Sequence, residues 1–135
     1  MRQETRKRLI AAALAVRQRA IAPYSRFQVG AALLTAKGEV VTGANVESAS
    51  YGLTCCAERV ALFKALTQGA TNIVAIAVVA RASKGPTPCG ACRQLLAEYA
   101  PNATVWVADS ARPDTVRTFS VASLLPDAFR KVPRR

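Results

Sequence analysis

Eight consecutive residues, Ile73 to Ala80, read Ile-Val-Ala-Ile-Ala-Val-Val-Ala without one polar interruption. A strand with one wet face alternates apolar and polar residues. A continuous apolar run of this length belongs to a strand covered on both faces, as in the centre of an α/β sheet. The rest of the chain must then supply helices for two sides, and three segments qualify. Gln3 to about Ala20 reads as a basic amphipathic helix, with Leu9, Ile10, Ala13, Leu14 and Val16 as its apolar stripe and Arg6, Arg8, Arg17 and Arg19 around it. Cys56 to Gln68 is helical again, with Val60, Leu62, Phe63 and Leu66, and stops at Gly69. Cys89 to about Ala100 is the third, entered after the break Pro86-Thr87-Pro88.

The remaining strands follow from turn chemistry. Phe27–Thr35 and Glu39–Gly43 form a hairpin around Lys37-Gly38. Thr104–Ala108 is a further strand and Thr115–Phe119 a weaker one, before Ser120 caps a short helix ending near Leu125-Pro126. The order α-β-β-α-β-α-β-β-α argues one α/β domain over residues 1–135, with helices on both faces of the sheet.

Composition narrows the function. The chain has 135 residues, 51% hydrophobic and 20% charged, a globular balance. No stretch approaches the ~18 apolar residues of a membrane helix, and Met1 to Arg6 carries no apolar signal core, so a cytoplasmic address is expected. Histidine is absent, which excludes every mechanism built on an imidazole base and leaves metals to thiolates or carboxylates. Four cysteines in such a chain read as ligands or core residues rather than disulfides.

Three of them fall at the starts of two predicted helices: Cys56 on one, Cys89 and Cys92 on the other. Helix starts favour thiolate over thiol, and the i, i+3 spacing of Cys89 and Cys92 puts both sulfurs on one face. Three soft anionic ligands leave one tetrahedral position of a zinc ion open to water, which is a catalytic arrangement. Glu58, two residues beyond Cys56, is the best available general base. Read alone, it would be a first-turn carboxylate that favours the helix dipole. A four-cysteine structural site would need Cys55, whose side chain diverges from that of its neighbour Cys56 at a helix start. Cys55 is read as a core or interface thiol. The combination C-x-E followed some thirty residues later by P-C-x-x-C is a signature of zinc deaminases.

With these residues the chain resembles the cytidine deaminase family, of the small homotetrameric type. The likeness runs through Pro23-Tyr24-Ser25-Arg26-Phe27-Gln28-Val29-Gly30-Ala31-Ala32, Asn45-Val46-Glu47, Ala49-Ser50-Tyr51, Cys56-Ala57-Glu58-Arg59, Pro88-Cys89-Gly90-Ala91-Cys92-Arg93-Gln94 and Leu124-Leu125-Pro126-Asp127-Ala128-Phe129. It implies a three-layer α/β/α fold with a mixed, about five-stranded sheet. It also implies one Zn²⁺ on Cys56, Cys89 and Cys92, with Glu58 shuttling protons and Arg59 hydrogen-bonding the zinc thiolates. Phe27 would lie against the pyrimidine, Asn45 and Glu47 on the ribose 3′ side, with Val46 between them also binding substrate, and the backbone around Ala57 at the base edge. Ala49, Tyr51 and Phe129 would reach an active site of a neighbouring subunit in a homotetramer. The implied reaction is hydrolytic deamination of cytidine and 2′-deoxycytidine to uridine and 2′-deoxyuridine, a step of pyrimidine salvage.

The charge balance supports competing readings. Nineteen Lys+Arg against eight Asp+Glu give +11, which suits a nucleic-acid partner or a deaminase acting on RNA or DNA. The positive residues are spread, however, with clusters only at Arg2–Arg8 and Arg130–Arg135, and an aromatic content of 6% leaves few platforms for stacking bases. Glu47 would also repel a phosphate carried nearby. Nucleic-acid binding is therefore expected to be weak and non-specific at most. Deamination of another amine-bearing heterocycle, such as blasticidin S, fits the Ala49-Ser50-Tyr51 and Leu53-Thr54 context less well. A non-enzymatic zinc module is the third alternative.

Overall fold

The structure, a computed structural model, describes residues 2–129; the basic stretch Arg130–Arg135 lies outside the described residues. Helix α1 (Arg2–Val16) is followed by strands β1 (Val29–Thr35) and β2 (Val40–Ala44), then helix α2 (Ala57–Thr67). Strand β3 (Ile73–Ala80), helix α3 (Gly90–Tyr99), strands β4 (Thr104–Asp109) and β5 (Arg112–Ser120), and helix α4 (Val121–Leu124) complete it. The strands form one five-stranded sheet in the order β2-β1-β3-β4-β5. Only β3 and β4 run parallel; β1 pairs with β2 and with β3 antiparallel, and so does β4 with β5. This is the mixed α/β sheet expected.

Side-chain parity sorts the core into two layers. On β3, Ile76 and Val78 face one side, and Ala75, Ala77 and Val79 the other. Strand β1 splits the same way into Ala31 and Leu33 against Ala32 and Leu34, and β4 into Val105 and Val107 against Trp106 and Ala108. The first side takes α2 through Ala57, Ala61, Leu62 and Ala65, α3 through Leu96 and Ala97, and α4 through Val121 and Leu124. The second side takes α1 through Leu9, Ile10 and Ala13. That is why the β3 sequence carries no polar residue. Each of the fully buried Leu33, Leu62, Ile76 and Leu96 contributes about 1.5–3 kcal/mol by leaving water.

Two glycines set close approaches and turns. Gly38 holds the hairpin turn at φ +90°. A Cβ on Gly43 would stand 2.5 Å from the backbone nitrogen of Ala61, so its absence lets α2 lie directly on β2.

The register fixes where a site can form. Val29 pairs with Ala80 and Gly30 with Ala44, so residues 27–28, 45–47 and 81–88 leave the sheet at one end. The amino ends of α2 and α3 are fed from that same end. Isolated bridges from Ile21 to Val46 and from Val46 to Cys55 then lay the segment entering α2 beside the segment leaving β2. Among the described residues, no helix is long and apolar enough to cross a membrane.

Candidate active site

Two helix caps bring the cysteines together. Cys56 is the N-cap of α2 and Cys89 the N-cap of α3, both with extended backbone, one position earlier than the sequence pattern places them on their helices. The Cys89 sulfur accepts a hydrogen bond from the Cys92 backbone N–H at 3.5 Å, the role a serine or aspartate oxygen usually takes at a cap. Cys56 Sγ lies 3.8 Å from Cys89 Sγ, and Cys89 Sγ 3.4 Å from Cys92 Sγ; all three lie within 4.8 Å of one another. Tetrahedral Zn–S bonds of about 2.3 Å separate neighbouring sulfurs by about 3.8 Å, so the donor set fits a zinc ion.

The electrostatics agree. The Cys56 thiol is pulled down to about 5, chiefly by a hydrogen bond from Cys92 and, against the cost of its own partial burial, by the Arg59 guanidinium. The Cys92 thiol is pushed up, because it supplies that proton and is buried. Three sulfurs this close cannot all ionise unless a cation joins them. Arg59 Nη2 donates to Cys56 Sγ at 3.4 Å and to the Thr54 carbonyl at 3.2 Å. Cys55 stands outside the group. Its backbone pairs with Val46 at 2.8 and 3.0 Å, and burial pushes its thiol up, the opposite of what a ligand needs.

Glu58 occupies the first turn of α2, immediately after the cap, and is 6% exposed. Burial raises its carboxyl to about 7, and the neighbouring Cys56 thiolate adds to the shift. The carboxylate accepts a hydrogen bond from the Glu58 backbone N–H, which offsets part of that rise.

Phe27, Asn45 and Glu47 belong to one hydrogen-bonded network. The Asn45 amide donates to the Phe27 carbonyl at 2.9 Å and accepts from the Val29 N–H at 2.8 Å, which holds the lead-in to β1. One Glu47 oxygen, Oε1, accepts from the backbone N–H groups of Tyr24 and Ser25, both at 3.0 Å, and the other, Oε2, from the Ser25 hydroxyl. These bonds hold the Glu47 carboxyl below its ordinary range, the Ser25 hydroxyl contributing most. A cleft of about 430 Å³ lies against this network, lined by Tyr24, Ser25, Glu47, Ser48, Tyr51 and Thr54. A larger cavity of about 570 Å³ between α1 and β5 holds neither cysteine nor buried carboxylate and stands apart from this chemistry.

The other candidates lie at the margin. Ala57 is fully buried at the start of α2, and Val46 is 43% exposed between its two bridges. Ala49 is exposed, and Tyr51 and Phe129 are 90% and 59% exposed. The Phe129 carbonyl accepts from the Gln94 side chain of α3. Within one chain, nothing in the described contacts joins Ala49, Tyr51 or Phe129 to the cysteines. Sequence reasoning missed Ser25 and Thr54 as site-building residues. For Ser25 a signal existed: a serine two residues before Phe27 is placed to accept that residue's N–H in a local turn.

Residues 3–108 match the family model described as the cytidine and deoxycytidylate deaminase zinc-binding region. A cytidine deaminase of Halalkalibacterium halodurans is 52% identical over 124 residues, covering 92% of this chain and 93% of that protein. The crystal structure of a cytidine deaminase from Burkholderia pseudomallei superposes with a TM-score of 0.86 at 50% identity, covering 90% and 97% of the two chains. That of the cytidine deaminase from Mycobacterium tuberculosis gives 0.77 at 39% identity, covering 90% and 94%.

Proposed function

Because the chain belongs to the cytidine and deoxycytidylate deaminase family, we propose that it hydrolyses the exocyclic amine of free cytidine and 2′-deoxycytidine, yielding ammonia and the corresponding uracil nucleoside. The observation that carries this reading is the convergence of Cys56, Cys89 and Cys92 beside the buried Glu58. The three thiolates hold one zinc ion, and no histidine is needed. When bound, the metal supplies an acidified water, with a pKa near ~7, as the source of the nucleophile.

The chain's own residues do the rest. Glu58 is placed to accept a proton at its carboxylate and deliver it to the pyrimidine N3. The second proton, from the hydroxyl gained at C4, would pass through the same carboxyl to the amine as the C4–N bond breaks. Its burial keeps competing water away from the carboxyl and makes each transfer stronger electrostatically. Arg59 draws charge from the Cys56 thiolate, so that three anionic ligands do not quench the acidity of the water. Phe27 offers its ring to the pyrimidine, the backbone at Ala57 meets the base edge, Asn45 and Glu47 take the ribose 3′ side, and Val46 contacts substrate between them.

Ala49, Tyr51 and Phe129 are assigned to the active site of a neighbouring subunit in a homotetramer. What supports this is their exposure, with Leu53 73% exposed between them, since large apolar side chains in water beside a cleft await a partner surface. We assign the enzyme to pyrimidine salvage in the cytoplasm, as a single domain over residues 1–135. The test is spectrophotometric deamination of cytidine and deoxycytidine by zinc-replete protein. Turnover of either supports the reading; inactivity on both, with zinc bound, overturns it.

A further inference from the structure

We propose that Ser25 is a positioning residue for the sugar: it sets the orientation of Glu47 relative to Phe27. The inference rests on the nucleoside reading of the site. Its basis is that the Ser25 hydroxyl stands between the two groups, accepting from the Phe27 N–H at 3.0 Å while donating to Glu47 Oε2. A backbone N–H can only donate and an ionised carboxylate can only accept, so the hydroxyl proton has one place to go. The direction of the relay is fixed.

The surrounding contacts make the position hard to replace. The Tyr24 and Ser25 N–H groups both go to Glu47 Oε1, leaving Oε2 oriented by the Ser25 hydroxyl alone among the described bonds. Between Ser25 and Phe27 the chain passes through Arg26 in the left-handed region at φ 58°, a conformation unfavourable for an arginine. The Ser25–Phe27 bond spans this residue, and the Arg26 N–H donates to Ala22 O at 2.9 Å. From Phe27 the network continues through its carbonyl to Asn45. Glu47, Ser25, Phe27 and Asn45 thus form one chain of bonds, with Ser25 as the link between the sugar end and the base end. Glu47 is held ionised by the same bonds.

The experiment compares wild type, Ser25→Ala and Ser25→Thr on cytidine and on 3′-deoxycytidine, with zinc content and thermal midpoint measured alongside. For Ser25→Ala we expect KM for cytidine to rise about tenfold, the scale of one charge-assisted hydrogen bond, with kcat within about twofold. On 3′-deoxycytidine, which offers Glu47 no 3′-hydroxyl, the same substitution should change KM by less than about twofold. Ser25→Thr keeps the hydroxyl and should restore cytidine KM. If Ser25→Ala does not fold, Ser25→Cys keeps the volume with a weaker donor and should give the same split. Equal losses on both nucleosides, or a fall in kcat with KM unchanged, would mean Ser25 merely holds the loop and would overturn the proposal. Wild-type protein idle on both nucleosides would overturn the deaminase reading itself, and this inference with it.

Discussion

Arg59 Nη2 lies 3.4 Å from Cys56 Sγ while also bonding the Thr54 carbonyl, so one guanidinium ties the sulfur at the start of α2 to the loop before it. Its Nε is buried without a partner, a cost the protein bears to keep the cation against the sulfurs. Replacing Arg59 with Lys should preserve zinc stoichiometry while weakening retention about 10–100-fold, the usual effect of removing a group that supports a ligand. Competition with a chelator measures this. Unchanged affinity would remove Arg59 from the account.

The cysteines should separate cleanly. Cys89→Ala and Cys92→Ala should each lose the metal and lower the thermal midpoint, because zinc binding and folding are coupled. Cys92→Ala should be the less stable of the two, since Cys92 is buried and Cys89 exposed. Cys55→Ser should retain one zinc per chain by elemental analysis. Loss of metal there would indicate a four-cysteine structural site.

Gly43→Ala probes how the fold holds the site. The added methyl would meet the Ala61 backbone nitrogen at 2.5 Å, and a backbone atom cannot swing aside as a side-chain tip can. Overpacking of this kind costs up to about 3 kcal/mol, measurable by denaturant unfolding. Because α2 carries Glu58 and follows Cys56, activity should fall as well. A variant as stable as wild type would show that α2 can shift away from β2 freely.

Much of this architecture is legible in the sequence, and the exceptions have physical reasons. β3 runs from Ile73 to Ala80 as its apolar run does, because every residue of it except Val74 is buried. β5 extends over Arg112–Ser120, beyond the Thr115–Phe119 that pattern suggests. It is an edge strand, mostly exposed or half-buried, so its residues Arg-Pro-Asp-Thr-Val-Arg-Thr-Phe-Ser look like a loop. The first helix ends at Val16 and tightens into a 3₁₀ turn at Arg17–Arg19 rather than continuing to Ala20, since no residue there marks the change. At the site, the cysteine spacing predicts the sulfur cluster. The bonds joining Ser25 to Glu47 cross 22 positions of sequence and leave no periodic trace.

The Glu47 contacts predict a pH dependence. Its carboxyl is held below the ordinary range, chiefly by the Ser25 hydroxyl, so it stays ionised to lower pH than a free carboxylate. Lowering the pH should therefore raise wild-type KM for cytidine only below the usual carboxylate range. In Ser25→Ala the rise should begin at higher pH, because the lost hydroxyl bond favoured the charged form. Superimposable KM–pH profiles would contradict this.

The central claim is that a three-thiolate zinc site with Glu58 as its proton carrier deaminates a free nucleoside. Glu58→Gln tests it most directly, with zinc content, thermal midpoint and ammonia release from cytidine measured on one preparation beside wild type. The account predicts one zinc per chain and a stable fold in both proteins, with turnover reduced at least ~10²-fold in the variant, the lower end of general acid–base contributions. A Glu58→Gln protein that keeps its zinc and releases ammonia at the wild-type rate would contradict it.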